Sequence, residues 1–292
     1  MTTVPQSRVN IRAARPEDGE ACGRICFDAF SAINAAHGFP CDFPAPEMTI
    51  EILSMLFAHP EMFYCLVAEM DGRIVGSNVL DERSVIRGVG PITVDTTAQN
   101  SGVGRKLMDA AIARAWEKGA AGVRLVQAAF HSRSMSLYTT LGFDIREPLA
   151  CVQGRTRERQ VAGCEVRRAG TADLAECNEL SRRVHGFDRG GDLAHAIESG
   201  TARVVERGGR VTGYASQLAF FGHATAETNV DMQALIASAE SFDGPGILVP
   251  ARNSGLLRWC LGNGLQIVQP MTLMSMGLYT DPAGAWLPSV MF

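Results

Sequence analysis

Apolar residues fall at helical spacing early in the chain. Cys22, Ile25, Cys26, Ala29, Phe30 and Ile33 lie three and four residues apart, so they share one face of a helix. A short strand-like stretch precedes them at 11–18, Ile-Arg-Ala-Ala-Arg-Pro-Glu-Asp. The same pattern returns 155 residues later as Val-Arg-Arg-Ala-Gly-Thr-Ala-Asp at 166–173, followed by a stripe of Leu174, Cys177, Leu180 and Val184. A second match pairs Gly72-Arg73-Ile74-Val75-Gly76 with Gly209-Arg210-Val211-Thr212-Gly213, at an offset of 137. Each follows an apolar strand, and Asp71-Gly72 and Gly208-Gly209 tolerate the positive φ that a two-residue hairpin turn requires. A third match, at an offset of 122, pairs Leu141-Gly142-Phe143-Asp144-Ile145 with Asn263-Gly264-Leu265-Gln266-Ile267, and Pro148 with Pro270.

Three matches in the same order predict two α/β domains of related design, each built on a mixed sheet, the second shortened by deletions between its landmarks. The stretch from Gly154 to Gln160 is charged and has no apolar period, so it reads as a linker. The expected organisation is a first domain over 1–153, a linker over 154–163, and a second domain over 164–292 ending in an apolar tail. That tail, from Ala285 to Phe292, should dock on a groove, either between domains or between the subunits of a homodimer.

Composition narrows the function classes. At about 150 residues per domain, 292 residues agree with two domains. A net charge of −4 and a pI near 5.9 give no general attraction to nucleic acid or anionic membrane. No run approaches the roughly 18 apolar residues of a membrane span, and Met1 to Arg8 lacks the apolar core of a secretory signal. The eight cysteines are scattered, with Cys22 and Cys26 the nearest pair, and no Cys-x-x-Cys or Cys/His group has zinc spacing. Buried, reduced thiols in a cytoplasmic protein without a metal are expected.

The strongest local feature runs from Ile92 to Leu107. A β-type run, Ile92-Thr93-Val94, gives way to a polar loop, Gln99-Asn100-Ser101-Gly102-Val103-Gly104. A helix then starts with Val103, Leu107, Ala110, Ala111 and Ala115 on its inner stripe, and Gly119 is placed to stop it. Glycines at a strand-to-helix turn leave backbone N–H groups uncovered at the positive end of a helix, which suits a phosphate, and Arg105 and Lys106 add full charges. A Walker loop would need Gly-Lys-Ser/Thr after the second glycine, and Arg105-Lys106-Leu107 does not supply it. A dinucleotide fingerprint would need a third glycine where Leu107 stands.

Gln99, Gly102 and Gly104 meet the pattern Gln/Arg-x-x-Gly-x-Gly/Ala, and the chain here resembles the GNAT superfamily of acetyl-CoA-dependent N-acetyltransferases. The resemblance implies that backbone from Gln99 to Lys106 holds the CoA pyrophosphate and that Ile92–Val94 pairs with the pantetheine arm. A second family element, Asn-x-x-Ala-x-x-x-Tyr-x-x-x-Gly-Phe, is matched by Tyr138, Gly142 and Phe143, with Ser132 and Met135 in place of the usual Asn and Ala. By this resemblance Ser134 contacts the coenzyme, and Tyr138 donates a proton to the departing thiolate. The resemblance covers residues 9–152 well and 164–275 only as a worn second copy.

The implied reaction is transfer of acetyl from acetyl-CoA to a primary amine of a small molecule, directly in a ternary complex. The general base is left open among Asp81, Glu82 and His131, with a water relay as the default; Asp95 reads as a turn or cap residue. For the acceptor, the candidates are His37, Phe39, Asp42 and Phe43 in the proline-rich insertion from Asn34 to Pro46, together with His131. The corresponding place in the second copy, 221–234, has no double glycine, and Cys260 stands opposite Tyr138, so that copy is expected to be structural. Two other readings remain at this stage: a catalytically silent CoA-binding sensor or scaffold, and a protein-lysine acetyltransferase.

Overall fold

The computed structural model of the chain describes residues 9–291. Contacts divide it into two compact units: the chain up to Glu82 together with Gly88–Ala120, and Arg83–Arg87 together with the chain from Ala121 onward. In chain order the first unit holds β1 (Asn10–Ala13), α1 (Gly19–His37), α2 (Pro46–Ala58), β2 (Phe63–Met70) and β3 (Arg73–Asp81). Strand β4 (Ile86–Val89), of which Gly88 and Val89 belong to this unit, β5 (Thr93–Val94) and α3 (Val103–Glu117) complete it. Strands β1, β2 and β3 form an antiparallel series, and β5 pairs with β3. The β2–β3 turn carries Asp71 at φ 52° and Gly72 at φ 79°, the positive pair that a tight hairpin demands. Helices α1 and α2 pack closely because Gly23 has no side chain; a Cβ there would lie 2.5 Å from the Ile50 Cα. Thr49 Oγ1 also donates to the Gly23 carbonyl at 2.8 Å.

The second unit continues with β6 (Gly122–Ala128), α4 (Ser132–Thr140), β7 (Asp144–Gln153), β8 (Glu165–Arg168), α5 (Leu174–His185) and α6 (Gly190–Glu198). Then follow β9 (Arg203–Arg207), β10 (Arg210–Ala215), β11 (Ala224–Ala226), α7 (Asn229–Ala237), β12 (Ile247–Pro250), α8 (Ser254–Gly262), β13 (Gln266–Gly277) and β14 (Ala285–Leu287). Strands β14-β11-β10-β9-β8 make one antiparallel sheet, while β6-β13-β7-β12 run side by side in another. The apolar tail docks within its own chain. β14 pairs with β11, Trp286 is buried, and the Val290 N–H donates to the Phe220 carbonyl at 2.9 Å. Phe292 lies outside the described residues.

The sheet β6-β13-β7-β12 has an internal regularity. Strand β13 comes from the C-terminal half of the chain, yet lies between β6 and β7. Leu149 faces Met271, the residue 122 positions on, and the register on either side repeats under the same offset. Met271 faces Ala128 as Leu149 faces Pro250, and Leu273 faces Val126 as Cys151 faces Leu248. The Ala129 N–H donates to the Pro270 carbonyl at 3.0 Å, and the Ala251 N–H to the Pro148 carbonyl at 2.8 Å. Gly142 at φ 96° ends α4 as Gly264 at φ 100° ends α8, and Phe143 and Leu265 are buried just after them.

A second constellation occurs twice, once in each unit. The Arg12 guanidinium forks onto Asp18 at 2.7 and 3.0 Å while its Nε donates to Glu69 at 2.8 Å. Arg167 forks onto Asp173 at 2.7 Å through both nitrogens, and its Nε donates to Glu206 at 2.8 Å. Each aspartate also accepts a backbone N–H at 2.7 Å, from Arg15 and from Gly170. The fork therefore ties a strand, its neighbour and the following helix start into one bidentate, charge-assisted unit.

Two outcomes are expected. A chain ending at Gln153 would leave β6 without β13 and β7 without both β13 and β12, exposing three unpaired edges; it should aggregate or stay unfolded. A monomeric fragment that melts cooperatively in circular dichroism would rule this out. Asp18→Asn should lower unfolding free energy by about 1–3 kcal/mol at pH 7, read by urea denaturation. The Arg12 hydrogen bonds hold the Asp18 pKa below its ordinary value. This contribution is thus complete above about pH 4 and is lost as the pH falls through the depressed folded-state pKa, so the gap between wild type and variant should close on acidification. A gap unchanged down to pH 2 would exclude the fork as its source.

Candidate functional site

The loop between β5 and α3 is built from the backbone outward. Gly76 allows β5 to lie against β3, since a Cβ there would come within 2.6 Å of the Thr93 carbonyl. Asp95 then turns the chain: its carboxylate accepts from the Thr97 N–H at 2.8 Å and from Thr97 Oγ1 at 2.7 Å. Arg73, from the hairpin, holds Thr97 Oγ1 at 3.0 Å. Those hydrogen bonds from Thr97 lower the Asp95 pKa, and they make it a turn-forming carboxylate. Gln99 Nε2 donates back to the Val94 carbonyl at 3.3 Å, closing the loop on the strand it left.

Two left-handed residues follow, Asn100 at φ 66° and Gly102 at φ 84°. Gly102 is the N-cap of α3, so no side chain caps the first turn. The first intrahelical bond runs from the Lys106 N–H to the Gly102 carbonyl at 3.1 Å, so the N–H groups ahead of it lie at the positive end of the helix. An ideal Cβ on Gly102 would meet no atom within 4 Å, so the space over this turn is open. Arg105 and Lys106 are exposed beside it, while Val103, Leu107 and Ala111 bury the inner stripe against Leu66, Ala68 and Val75 of β2 and β3. Open space, the positive helix end and two basic side chains suit an anionic, phosphate-bearing group.

In the second unit α4 carries the remaining sequence candidates. His131 is its N-cap residue and Ser134 Oγ donates to Gln127 Oε1 at 2.8 Å, linking the helix to β6. Tyr138 is buried, edge-on to Phe143 with ring centres 6.2 Å apart, and burial raises its pKa so that the phenol is protonated at neutral pH. In the first unit, Glu82 is engaged by Arg114 at 2.9 and 3.0 Å and Asp81 is buried at the end of β3. Of the α1–α2 connection, Phe43 is buried edge-on to Phe30 with centres 5.6 Å apart and serves to pin the segment. Phe39 and Asp42 are half-buried, and His37 is exposed at the end of α1.

The place in the second unit that the sequence aligns with this loop is differently built. Helix α7 is capped by Thr228, whose side chain accepts from the Asp231 N–H. The Asp231 carboxylate, fully buried, sits in the first turn and is bonded by Arg207 at 2.8 and 3.1 Å and by Thr212 Oγ1 at 2.7 Å. Burial alone would raise its pKa, but the bonds from Arg207, Thr228 and Thr212 outweigh that and lower it. A helix end already holding its own negative charge repels a phosphate. The missing glycines are visible in the sequence, and the signal for this cap is there too, an acid three residues after a threonine at Thr228 and Asp231.

The fold and this helix start define a class: an α/β protein with a glycine-capped helix start directly after a strand. Residues 17–143 match the family model described as Acetyltransferase (GNAT) family, and this stretch is a domain of that family of acyltransferases. No curated protein matches the chain. Among solved structures, a protein of Pyrococcus horikoshii described as an acetyltransferase is similar at a TM-score of 0.72 and 18% identity, over 98% of this chain and 96% of that one. A GCN5-related N-acetyltransferase from Sphaerobacter thermophilus is similar at a TM-score of 0.62 and 12% identity, over 97% of this chain and all of that one. At these identities the likeness is one of fold. Among the described residues, no helix is long and apolar enough to cross a membrane, and no group of three or more His, Cys, Asp or Glu could hold a metal ion.

Proposed function

We propose that the protein moves an acetyl group from acetyl-CoA to a primary amine of a small molecule in the cytoplasm, with residues 1–153 catalytic, 154–163 a linker and 164–292 a degenerate second copy. The observation that carries this reading is the first turn of α3, whose cap is a glycine with open space over it, beside the exposed Arg105 and Lys106. Backbone from Gln99 to Lys106 would receive the pyrophosphate of the substrate, and Ile92–Val94 its pantetheine arm, with Ser134 a further contact.

Transfer requires the amine nitrogen to add to the thioester carbon and the C–S bond to break, with one proton leaving the nitrogen and one reaching the sulfur. Tyr138 is assigned the second proton: its phenol, kept protonated by burial, is a donor to the developing thiolate. The proton on nitrogen leaves through water, which needs no single base; the bidentate hold of Arg114 on Glu82 argues against that carboxylate in the role. Phe39, Asp42, His37 and His131 are the side chains proposed to recognise the acceptor, with Phe43 setting the segment's position. The repeated Arg–Asp–Glu fork and the register under a single offset support descent of both halves from one design. Asp231 in the first turn of α7 supports a second copy that does not bind coenzyme.

Calorimetric titration of acetyl-CoA into the whole chain should give one site. Two sites would remove the silent reading of the second copy, and none would remove the proposal. Gly102→Glu, which sets a carboxylate over the positive helix end, should weaken acetyl-CoA binding at least about 100-fold, equivalent to roughly 2.7 kcal/mol, while circular dichroism shows a folded protein. Unchanged affinity would sink the loop assignment. Tyr138→Phe should leave that affinity nearly intact and lower turnover of a responsive amine by about 10²-fold or more. If turnover is unaltered, Tyr138 is a packing residue; if acetyl-CoA binds but no amine ever consumes it, the sensor reading replaces the enzyme.

A further inference from the structure

The C-terminal strand β14 fills, in the second unit, the kind of strand edge that the acetyl-transfer reading gives to the coenzyme in the first. The two places are built alike. In the first unit Gly76 and Ser77 of β3 face Val94 and Thr93 of β5; in the second, Gly213 and Tyr214 of β10 face Ala226 and Thr225 of β11. Gly76 and Gly213 are partners in the sequence match at an offset of 137. Each allows a close approach, since a Cβ would lie 2.6 Å from the Thr93 carbonyl in one and 3.2 Å from the Thr225 carbonyl in the other. The residue after each strand makes the same bond: the Asp95 N–H donates to the Val75 carbonyl at 2.8 Å, and the Glu227 N–H to the Thr212 carbonyl at 2.9 Å. A helix follows in both, α3 from Val103 and α7 from Asn229. Strand β11 is therefore the counterpart of β5.

The difference lies at the other edge of the strand. On the acetyl-transfer reading, Ile92–Val94 offers that edge to the pantetheine arm, an extended chain carrying amide groups. On β11 it is taken: Ala224, Thr225 and Ala226 face Leu287, Trp286 and Ala285 of β14. A Cβ at Gly284 would collide with the Ala226 carbonyl, so a glycine stands where the tail meets β11.

The side chains of β14 alternate between two apolar faces. Ala285 and Leu287 join the cluster that includes Ile247 and Val249 of β12. Trp286 joins the one that includes Leu248 and Phe220, and it lies edge-on to His185 with ring centres 5.8 Å apart. Both ends of the strand are tied, by the Ala283 N–H to the Val184 carbonyl at 2.8 Å and by Ser289 Oγ to the Phe221 carbonyl at 3.0 Å. The space left beside it is a cavity of about 10 Å³, walled by Arg124, His185, Arg189, His223, Thr225 and Trp286, with room for one water. The tail thus fills its groove.

We propose, resting on the acetyl-transfer reading of Ile92–Val94 and of 164–292 as a degenerate copy, that β14 is a built-in ligand of the second unit. An extended chain of amides occupies the edge where a pantetheine arm would pair, and it shuts this copy from within. Asp231 repels phosphates at the start of α7, and β14 excludes the arm. Pantetheine without phosphates meets only the second barrier, so it competes with the tail for the edge of β11.

The test uses the whole chain with a protease recognition sequence inserted between the exposed Thr280 and Asp281, and with Gly102→Glu to close the loop of the first unit. The protein is purified folded and then cut, so that the tail stays in place without a covalent link. A fluorescent peptide of residues 283–291 should exchange into the cut protein. Pantetheine should displace it saturably, while cysteamine, which has the thiol but no amides, should not. No displacement by pantetheine, or equal displacement by cysteamine, overturns the proposal. Where cutting unfolds the protein, thermal melting of uncut chains gives a second measurement. Trp286→Ala combined with Gly102→Glu should show a saturable rise in melting temperature with pantetheine, and Gly102→Glu alone should show none. A rise in neither, or an equal rise in both, overturns the proposal. Every chain in these measurements carries Gly102→Glu, so their outcome is separate from whether the first unit binds acetyl-CoA, which calorimetry on the unaltered chain decides.

Discussion

The exchange of β7 and β13 is the constraint on which the second unit depends. A strand in the middle of a sheet has two edges of N–H and C=O groups to satisfy, and neither β6 nor β7 can satisfy its inner edge with the other, because β13 stands between them. The Leu149–Met271 pair marks the centre of an arrangement in which β7 pairs with β12 and β13 from later in the chain, and β13 with β6 and β7 from earlier in it. Strands from the earlier and the later part of the chain therefore alternate in one sheet. The segment after Gly154 is likewise fastened down: the Arg157 N–H donates to the Asn263 carbonyl at 2.9 Å, and Trp259 Nε1 donates to Glu158 at 3.2 Å. A linker by composition is here a bonded strap.

Helix starts explain how related elements diverge in chemistry. Each first turn has N–H groups that need an acceptor, and the chain meets that need in different ways. Ahead of α1 and α5 an aspartate accepts a backbone N–H and is fixed by an arginine fork. At α7 the cap is Thr228 with Asp231 behind it, and at α8 Asn253 accepts from the Leu256 N–H. At α3 the cap is Gly102, which has no side chain to offer. The same backbone geometry is thus capped by a side chain in one place and left uncapped in another, and the difference rests on a few polar side chains.

Much of this was legible from residue pattern. The buried face of α1 includes Cys22 and Cys26, and the hairpins at Asp71-Gly72 and Gly208-Gly209 have the positive φ values that their residues favour. Residues 99–106 occupy a strand-to-helix turn, and Asp95 shapes that turn. These features are local, set by side-chain periodicity, turn chemistry and capping within a few positions of the chain. The apolar tail was legible as a segment needing cover, but its partner, β11, lies about sixty residues away in sequence.

Sequence by itself determined the α/β class and the glycine loop that leads to the acyltransferase family, because each is written in the spacing of neighbouring residues. Tertiary structure decided what lies beside what. It placed β13 between β6 and β7, set Asp231 into the first turn of α7, and gathered Arg124, His185, Arg189 and His223 around one cavity. Nothing in the spacing of those four residues announces a cluster. They come from β6, α5, the start of α6 and the approach to β11, and only packing brings such distant segments close enough for their charges to act on one another.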